Sequence, residues 1–286
     1  MTTFAKNTPG QIMDLFSSLY SFEICSLSSG SSGNCYYIGH AEGGILVDVG
    51  ISAKRIIKSL KEIGKSLESV KAVLITHSHI DHIRAVEAFT RTFRKPVYAT
   101  AGTWQGIKNN RFTMQALESM HVSIIPDDVF TAGGFSITAF PVSHDANGAV
   151  GFHIQNSHKS LAIATDLGII DERAEHFLKR ANILMLESNY DEEMLENGPY
   201  PERLRQRIRS SLGHLSNNQC ADFLVTSWRN DLSHVFLVHL SEHNNSPEKT
   251  METIHAAFAK NEVSFSESTT IQPFEREKRS PLFRIA

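Results

Sequence analysis

Six short apolar runs in this chain each stop on a residue that can bind a metal or move a proton. Residues 44–47 lead into Asp48, 72–76 into His77, 135–143 into His144, 161–165 into Asp166, 183–186 into Glu187 and 235–238 into His239. Runs of this length and composition predict strands. In sheets covered by helices, functional side chains collect where strand ends feed loops. A fold that brings these ends to one edge therefore gathers histidines and carboxylates in one place, and this requirement constrains the architecture more than any other feature.

The densest point is Thr76-His77-Ser78-His79-Ile80-Asp81-His82. Its four ligand-type side chains, His77, His79, Asp81 and His82, cannot all face one side of a regular strand or helix. They suit a tight strand-to-helix turn that aims them into a shared space. Imidazole nitrogen and carboxylate oxygen suit Zn²⁺, and also Mn²⁺ or Fe²⁺. A polar turn that merely happens to be His-rich is the bland alternative, and the density of the string argues against it.

Lys and Arg number 28 against 31 Asp and Glu, a formal charge of -3, which excludes a strongly basic nucleic-acid coat but not a local basic patch. No apolar run approaches membrane-spanning length. Cys25, Cys35 and Cys220 are odd in number and scattered, with no CxxC, so no disulfide framework is expected and a reducing cytoplasm fits. In residues 1–21, Ile12, Leu15, Phe16 and Leu19 recur at helical spacing, while Thr8-Pro9-Gly10-Gln11 interrupts any signal-like apolar stretch. This segment reads as an N-terminal extension.

Residues 22–286 read as one α/β domain, without repeats or a low-complexity linker. Strands are predicted at 22–27, 35–38, 44–47, 72–76, 97–99, 121–125, 135–142, 150–155, 159–165, 183–186, 235–238 and near 263–265. Helices are predicted at 52–63, 83–93, within 103–120, and at 171–180, 203–211, 217–228 and 247–259.

The string His77-x-His79-x-Asp81-His82, followed in order by His144, Asp166 and His239, resembles the metallo-β-lactamase fold superfamily, and Asp48 matches that superfamily's early aspartate. The resemblance runs from Phe22 almost to the C-terminus. It implies an αββα sandwich with two divalent ions, Zn or Mn with Fe as an alternative, at one edge. Carried over by position, His77, His79 and His144 hold the first metal. Asp81, His82 and His239 hold the second, Asp166 bridges, and Asp48 orients ligands without binding metal. The implied chemistry is hydrolysis by a hydroxide shared between two metals.

Four further segments narrow the resemblance. The loop Ser28-Ser29-Gly30-Ser31-Ser32-Gly33-Asn34 carries hydroxyls and glycines that could nest a phosphate. Ser28, Ser31, Ser32 and Asn34 are its candidate substrate-binding residues, although a plain hairpin loop has the same composition. Leu186-Glu187-Ser188-Asn189-Tyr190 and Gly213-His214-Leu215-Ser216-Asn217 resemble the regions of RNase Z nucleases that supply a proton-donating Glu–His pair, which makes Glu187 and His214 catalytic candidates beside Asp81. Together with Leu240-Ser241-Glu242-His243-Asn244-Asn245, these segments are similar to the bacterial YycJ/WalJ subgroup. That similarity implies a 5′–3′ exonuclease on duplex DNA. A thioester or lactone hydrolase, or an RNA-processing nuclease, remains the alternative.

Among the other histidines, His40, His121, His153, His158, His176, His234 and His255 read as surface or packing residues. His243 could touch phosphate. Two basic stripes, Lys54-Lys58-Lys61-Lys65 and Arg203-Arg205-Arg207-Arg209, are either solvated helix faces or contacts to a phosphate backbone. Oligomeric state is left open.

Overall fold

The computed structural model describes residues 22–264 and 269–286. Fourteen strands among these residues form two seven-stranded sheets. The first contains β1 (Phe22–Ser28), β2 (Cys35–His40), β3 (Gly43–Val47), β4 (Val70–Leu74), β5 (Val97–Ala99), β6 (His121–Ser123) and β14 (Phe283–Ile285), in the order β14-β1-β2-β3-β4-β5-β6. The second contains β7 (Val129–Ala132), β8 (Phe135–Pro141), β9 (Val150–Gln155), β10 (Ser160–Ala164), β11 (Ile183–Glu187), β12 (His234–Val238) and β13 (Thr270–Pro273), in the order β13-β12-β11-β10-β9-β8-β7.

Alternation along the strands explains why the sheets stack and why helices cover them. Ile24, Ile45 and Val47 point into a core shared with Ile137, Phe152, Ile163 and Phe236 of the other sheet. Their neighbours Cys25 and Leu46 face outward, onto Ile56 and Leu60 of α1 (Ala53–Glu62) and Phe89 of α3 (Val86–Arg91). On the second sheet, Leu161 and Ile163 face the shared core while Ala162 and Ala164 face outward. The outward residues pack with Leu178 of α5 (Glu172–Leu178), Leu224 of α8 (Asn217–Ser227) and Phe258 of α9 (Pro247–Lys260). Strands buried on both faces need cover on both, and the result is a four-layer αββα sandwich. The remaining helices are α2 (Ile80–Ile83), α4 (Ala101–Asn109), α6 (Glu192–Asn197) and α7 (Glu202–Arg209).

Several sequence expectations need correction. The helix expected over 83–93 is two pieces, because the Ala85 N–H donates to Val49 O at 2.9 Å instead of continuing a helix. The helical reading of 103–120 holds to Asn109 and again in a single 3-10 turn at Glu118–Met120; between them Asn110 caps a turn, accepting from Phe112 N through Oδ1. Strands β7, β13 and β14 were not expected from the sequence pattern. Val263 and Ser264 are not in a strand, and Phe265 lies outside the described residues, as does the helix expected around Ile12–Leu19. All three cysteines are free and buried. Among the described residues no helix is long and apolar enough to cross a membrane.

Candidate metal centre

β3 and β4 are parallel neighbours, as are β10, β11 and β12, and β8 runs in the same sense as β10 because both are antiparallel to β9. Their C-terminal ends therefore share one edge of the sandwich. Asp48, Asp166 and His239, each just past a strand, have positive φ of 59°, 57° and 58°. A left-handed residue turns the chain sharply at a strand end, and Asp is among the non-glycine residues that tolerate it best. Backbone strain of this kind concentrates at functional sites.

The side chains fall into overlapping groups whose ligand atoms lie within 4.8 Å of one another: His77, His79 and His144; Asp81, His82 and His239; His77, His82 and Asp166; and Asp166, Glu187, His214 and His239. The first two are the triads expected for the two metals. Asp166 lies between them, with Oδ1 4.0 Å from His144 Nε2 and Oδ2 3.2 Å from His82 Nε2.

The ring nitrogens are sorted by their partners. His82 Nδ1 is 2.8 Å from Asp48 Oδ2, His239 Nδ1 is 2.7 Å from Glu187 Oε1, His144 Nδ1 is 3.1 Å from the Gly213 carbonyl, and His77 Nδ1 is 3.1 Å from Thr76 Oγ1. Thr76 Oγ1 itself donates to Asp48, which leaves its lone pairs for the imidazole. Each Nδ1 engaged this way as a donor leaves Nε2 free to ligate a cation, the usual way a protein fixes a metal-binding tautomer. The Nε2 atoms of His77 and His239 are buried and have no hydrogen-bond partner among the described residues. Buried polar atoms are seldom left unpaired, and two orphaned imidazole nitrogens in a carboxylate-rich cluster fit a bound cation.

Electrostatics points the same way. Burial alone would raise Asp166 and Glu187, but the adjacent histidines outweigh it and hold Asp166 well below its ordinary value and Glu187 below its own. Burial would lower His82 and His239, but Asp166 and the other carboxylates around each outweigh it; His82 rises well above the ordinary value and His239 to about 10. His77 is held well below its ordinary value by burial and by the charge of His82. A cluster that draws protons onto its histidines to balance its carboxylates is one where metal cations would replace those protons.

Asp48 is fully buried and takes no place in these groups. It accepts Thr76 N at 2.9 Å, and its Oδ2 lies 2.8 Å from His82 Nδ1. Glu187 is fully buried as well. Its Oε2 accepts the backbone N–H of Leu167 (3.0 Å) and Leu215 (3.1 Å), and its Oε1 lies 2.9 Å from His214 Nδ1 as well as 2.7 Å from His239 Nδ1. His214 is half-buried and keeps Nε2 as its remaining ring nitrogen.

The serine loop divides. Ser31 is exposed and Ser32 half-exposed, whereas Ser28 is buried in β1 opposite Cys35. Asn34 is fully buried: Oδ1 accepts Gly30 N (2.8 Å), Nδ2 donates to Gly30 O (3.1 Å) and lies 2.9 Å from His82 Nε2. Its backbone N–H donates to Asp81 O at 2.7 Å. Asn34 thus closes the loop and supports the second triad, so within the expected phosphate loop the solvent-facing hydroxyls are those of Ser31 and Ser32. His243 is exposed, edge-on to Tyr200, and outside the metal groups.

Sequence reasoning missed four supports. Ser29 Oγ accepts His239 N at 2.9 Å, and Asn189 Nδ2 donates to His239 O at 2.7 Å. Asp145 Oδ1 lies 3.4 Å from both His79 Nε2 and His144 Nε2, and Asp145 Oδ2 accepts from Arg207 Nε at 2.6 Å. Ser29, Asn189 and Arg207 lie in segments the sequence singles out for other reasons, and the His144-Asp145 dipeptide at a strand end is the signal for Asp145.

Residues 44–239 match the beta-lactamase superfamily domain. The chain is 33% identical over 264 residues to the exodeoxyribonuclease WalJ of Streptococcus pneumoniae, covering 92% of this chain and 98% of that protein. It is 35% identical over 222 residues to the exodeoxyribonuclease YycJ of Bacillus anthracis, covering 78% and 83%. The metallo-beta-lactamase fold protein YhfI from Bacillus subtilis matches in structure with a TM-score of 0.66 at 17% identity, over 91% of this chain and 99% of that one. The edge-gathered ligands, the αββα layers and these relatives agree: the chain belongs to the metallo-β-lactamase superfamily, in the group that includes WalJ and YycJ.

Proposed function

We propose that the protein is a dinuclear metal-dependent phosphodiesterase that removes nucleotides from the 5′ end of duplex DNA in the cytoplasm. The observation that carries this reading is the Glu187–His214 contact of 2.9 Å beside the metal triads. An oxygen leaving group needs a proton, whereas the thiolate released from a thioester does not. The exodeoxyribonuclease names of the two relatives extend the reading to DNA.

In this mechanism His77, His79 and His144 would hold one divalent ion, Asp81, His82 and His239 would hold the other, and Asp166 stands between the two triads. Zn²⁺ or Mn²⁺ bound there would supply Lewis acidity to the reacting phosphate and to the attacking water. Asp48 and Glu187 keep His82 and His239 in the ligating tautomer. Glu187 also aims His214, whose Nε2 protonates the departing 3′ oxygen. Ser31 and Ser32 offer hydroxyls to a terminal phosphate.

End-labelled linear duplex, circular duplex, single-stranded DNA and RNA, each with Mn²⁺ or Zn²⁺, test the proposal. Mononucleotide release from the 5′ end of linear duplex is expected. Circular duplex cut as fast as linear, faster cleavage of RNA, or thioester hydrolysis outpacing all nuclease activity would reject it.

A further inference from the structure

The four arginines of α7 differ in what they face. Arg205 is folded onto Glu202 and the Glu196 carbonyl, and Arg209 onto Glu196. Arg207 instead reaches the edge that carries the metal ligands. Its Nε donates to Asp145 Oδ2 at 2.6 Å, and the other oxygen of that carboxylate lies 3.4 Å from His79 Nε2 and His144 Nε2. One carboxylate thus separates the guanidinium from the first triad.

The ion pair is not what joins α7 to the site. Asp145 N donates to Leu212 O at 3.1 Å, and His144 Nδ1 lies 3.1 Å from Gly213 O, so backbone groups already fasten the segment after α7 to the His144 loop. The Arg207 side chain is 51% exposed, and an ion pair this open adds little to stability. Its only carboxylate partner among the described residues is Asp145, engaged through Nε. The two Nη groups remain as a planar fork of the kind that grips phosphate oxygens in pairs.

We propose that Arg207 anchors the nucleic-acid phosphate next to the scissile one, with Asp145 as its positioning residue; this rests on the phosphodiesterase reading above. The substrate class is a polynucleotide, because a simple diester has no neighbouring phosphate to hold. The arginine adds a local positive contact at the metal edge of a chain whose net charge is -3.

The test uses metal-reconstituted wild type, Arg207→Gln, Arg207→Lys, Asp145→Asn and a control, Lys179→Gln. Lys179 follows α5, which runs from the metal edge back toward the start of β11, so it sits at the far end of the sandwich. KM and kcat are measured on a short duplex from 50 to 200 mM KCl and on bis(4-nitrophenyl) phosphate, with metal content and Tm alongside. For Arg207→Gln, KM on duplex should rise about 10–100-fold with kcat changed much less, and the slope of log KM against log salt should fall by about 0.7–0.9. The loss on the small diester should be at least tenfold smaller. Arg207→Lys should restore the salt slope but only part of the KM, since it keeps the charge without the fork. Asp145→Asn should shift KM in the same direction by less, and Lys179→Gln should match wild type. An unchanged salt slope in Arg207→Gln, equal losses on both substrates, or a fall in metal content that accounts for the activity would overturn the anchor. Wild type that cleaves the small diester but no polynucleotide would instead overturn the nuclease reading, and the anchor with it.

Discussion

Glu187→Gln is the most informative single change at this site, because one carboxylate serves four donors. Oε2 accepts two backbone N–H groups, from Leu167 and Leu215, and Oε1 faces Nδ1 of both His239 and His214. A glutamine has one acceptor end and one donor end. With its oxygen toward the backbone, its NH₂ meets the two imidazoles; turned round, the NH₂ meets the two backbone N–H groups. Either way two donors confront two donors, unless the rings adopt the other tautomer. In that tautomer His239 carries its proton on Nε2, the ligating atom. Two lost hydrogen bonds to an ionised acceptor, at about 1.5–3 kcal/mol each, predict a stability loss of roughly 3–6 kcal/mol in the apo protein. Losing the partner that orients a metal-binding histidine predicts about 10–100-fold weaker binding of the second ion. Turnover should fall about 10²–10⁴-fold if His214 is the proton donor. Urea melts, chelator competition and duplex hydrolysis measure the three effects. His214→Ala supplies the contrast: it should keep both metals and lose turnover, with a smaller loss on a nitrophenyl diester, whose leaving group barely needs a proton. In the double variant the two losses in turnover should not add, because both act through one proton donor. Wild-type metal affinity in Glu187→Gln, or fully additive rate losses, would refute the reasoning.

Asp81→Ala should lower the metal content from two ions per chain toward one, since its Oδ2 lies 3.5 Å from His82 Nε2 and 3.8 Å from His239 Nε2; equal loss of both ions by elemental analysis would reject the assignment. Gly50→Ala would place a Cβ 1.5 Å from the Asp81 carbonyl oxygen, so it should cost about 3 kcal/mol or more and weaken metal binding, as thermal melts with and without chelator would report. His153, on β9, is buried with Nε2 unpartnered, and burial, with Arg180 and His176 nearby, pushes its pKa down from 6.5 to about 4. The unfolded chain then binds this proton first, so the stability contribution is complete above pH 6.5 and is lost as pH falls toward 4, by up to about 3 kcal/mol. Urea melts across that range should show a shallower decline for His153→Phe than for wild type, and parallel curves would contradict this.

What could be read from the sequence, and what could not, follows a physical division. The strands that lead to Asp48, His77, Asp166, Glu187 and His239 are mostly apolar because, Lys71 and His234 apart, their residues are buried, so local pattern finds them and also finds the ligand-type residue where the pattern stops. Edge strands lack that signal. Val129, which opens β7, is 68% exposed, β13 contains a proline, and β14 exists because it pairs with β1 from the far end of the chain. The break at Ala85 has the same origin, a distant acceptor at Val49 O. The serine loop shows the limit most clearly. Its composition suits a phosphate nest, yet Asn34 is drawn inward by Gly30 and His82, and Ser29 by His239. Residue type announces that a side chain can donate or accept, but the partner is set by tertiary folding. The candidate metal triads are legible because imidazole and carboxylate at strand ends are rare and chemically specific. The groups that fix each ring's tautomer are the Asp48 carboxylate, a threonine hydroxyl, the Gly213 carbonyl and Glu187. Two of these four, a hydroxyl and a backbone oxygen, are of kinds found in almost any sequence, and only the packing of the two sheets shows that they complete the site.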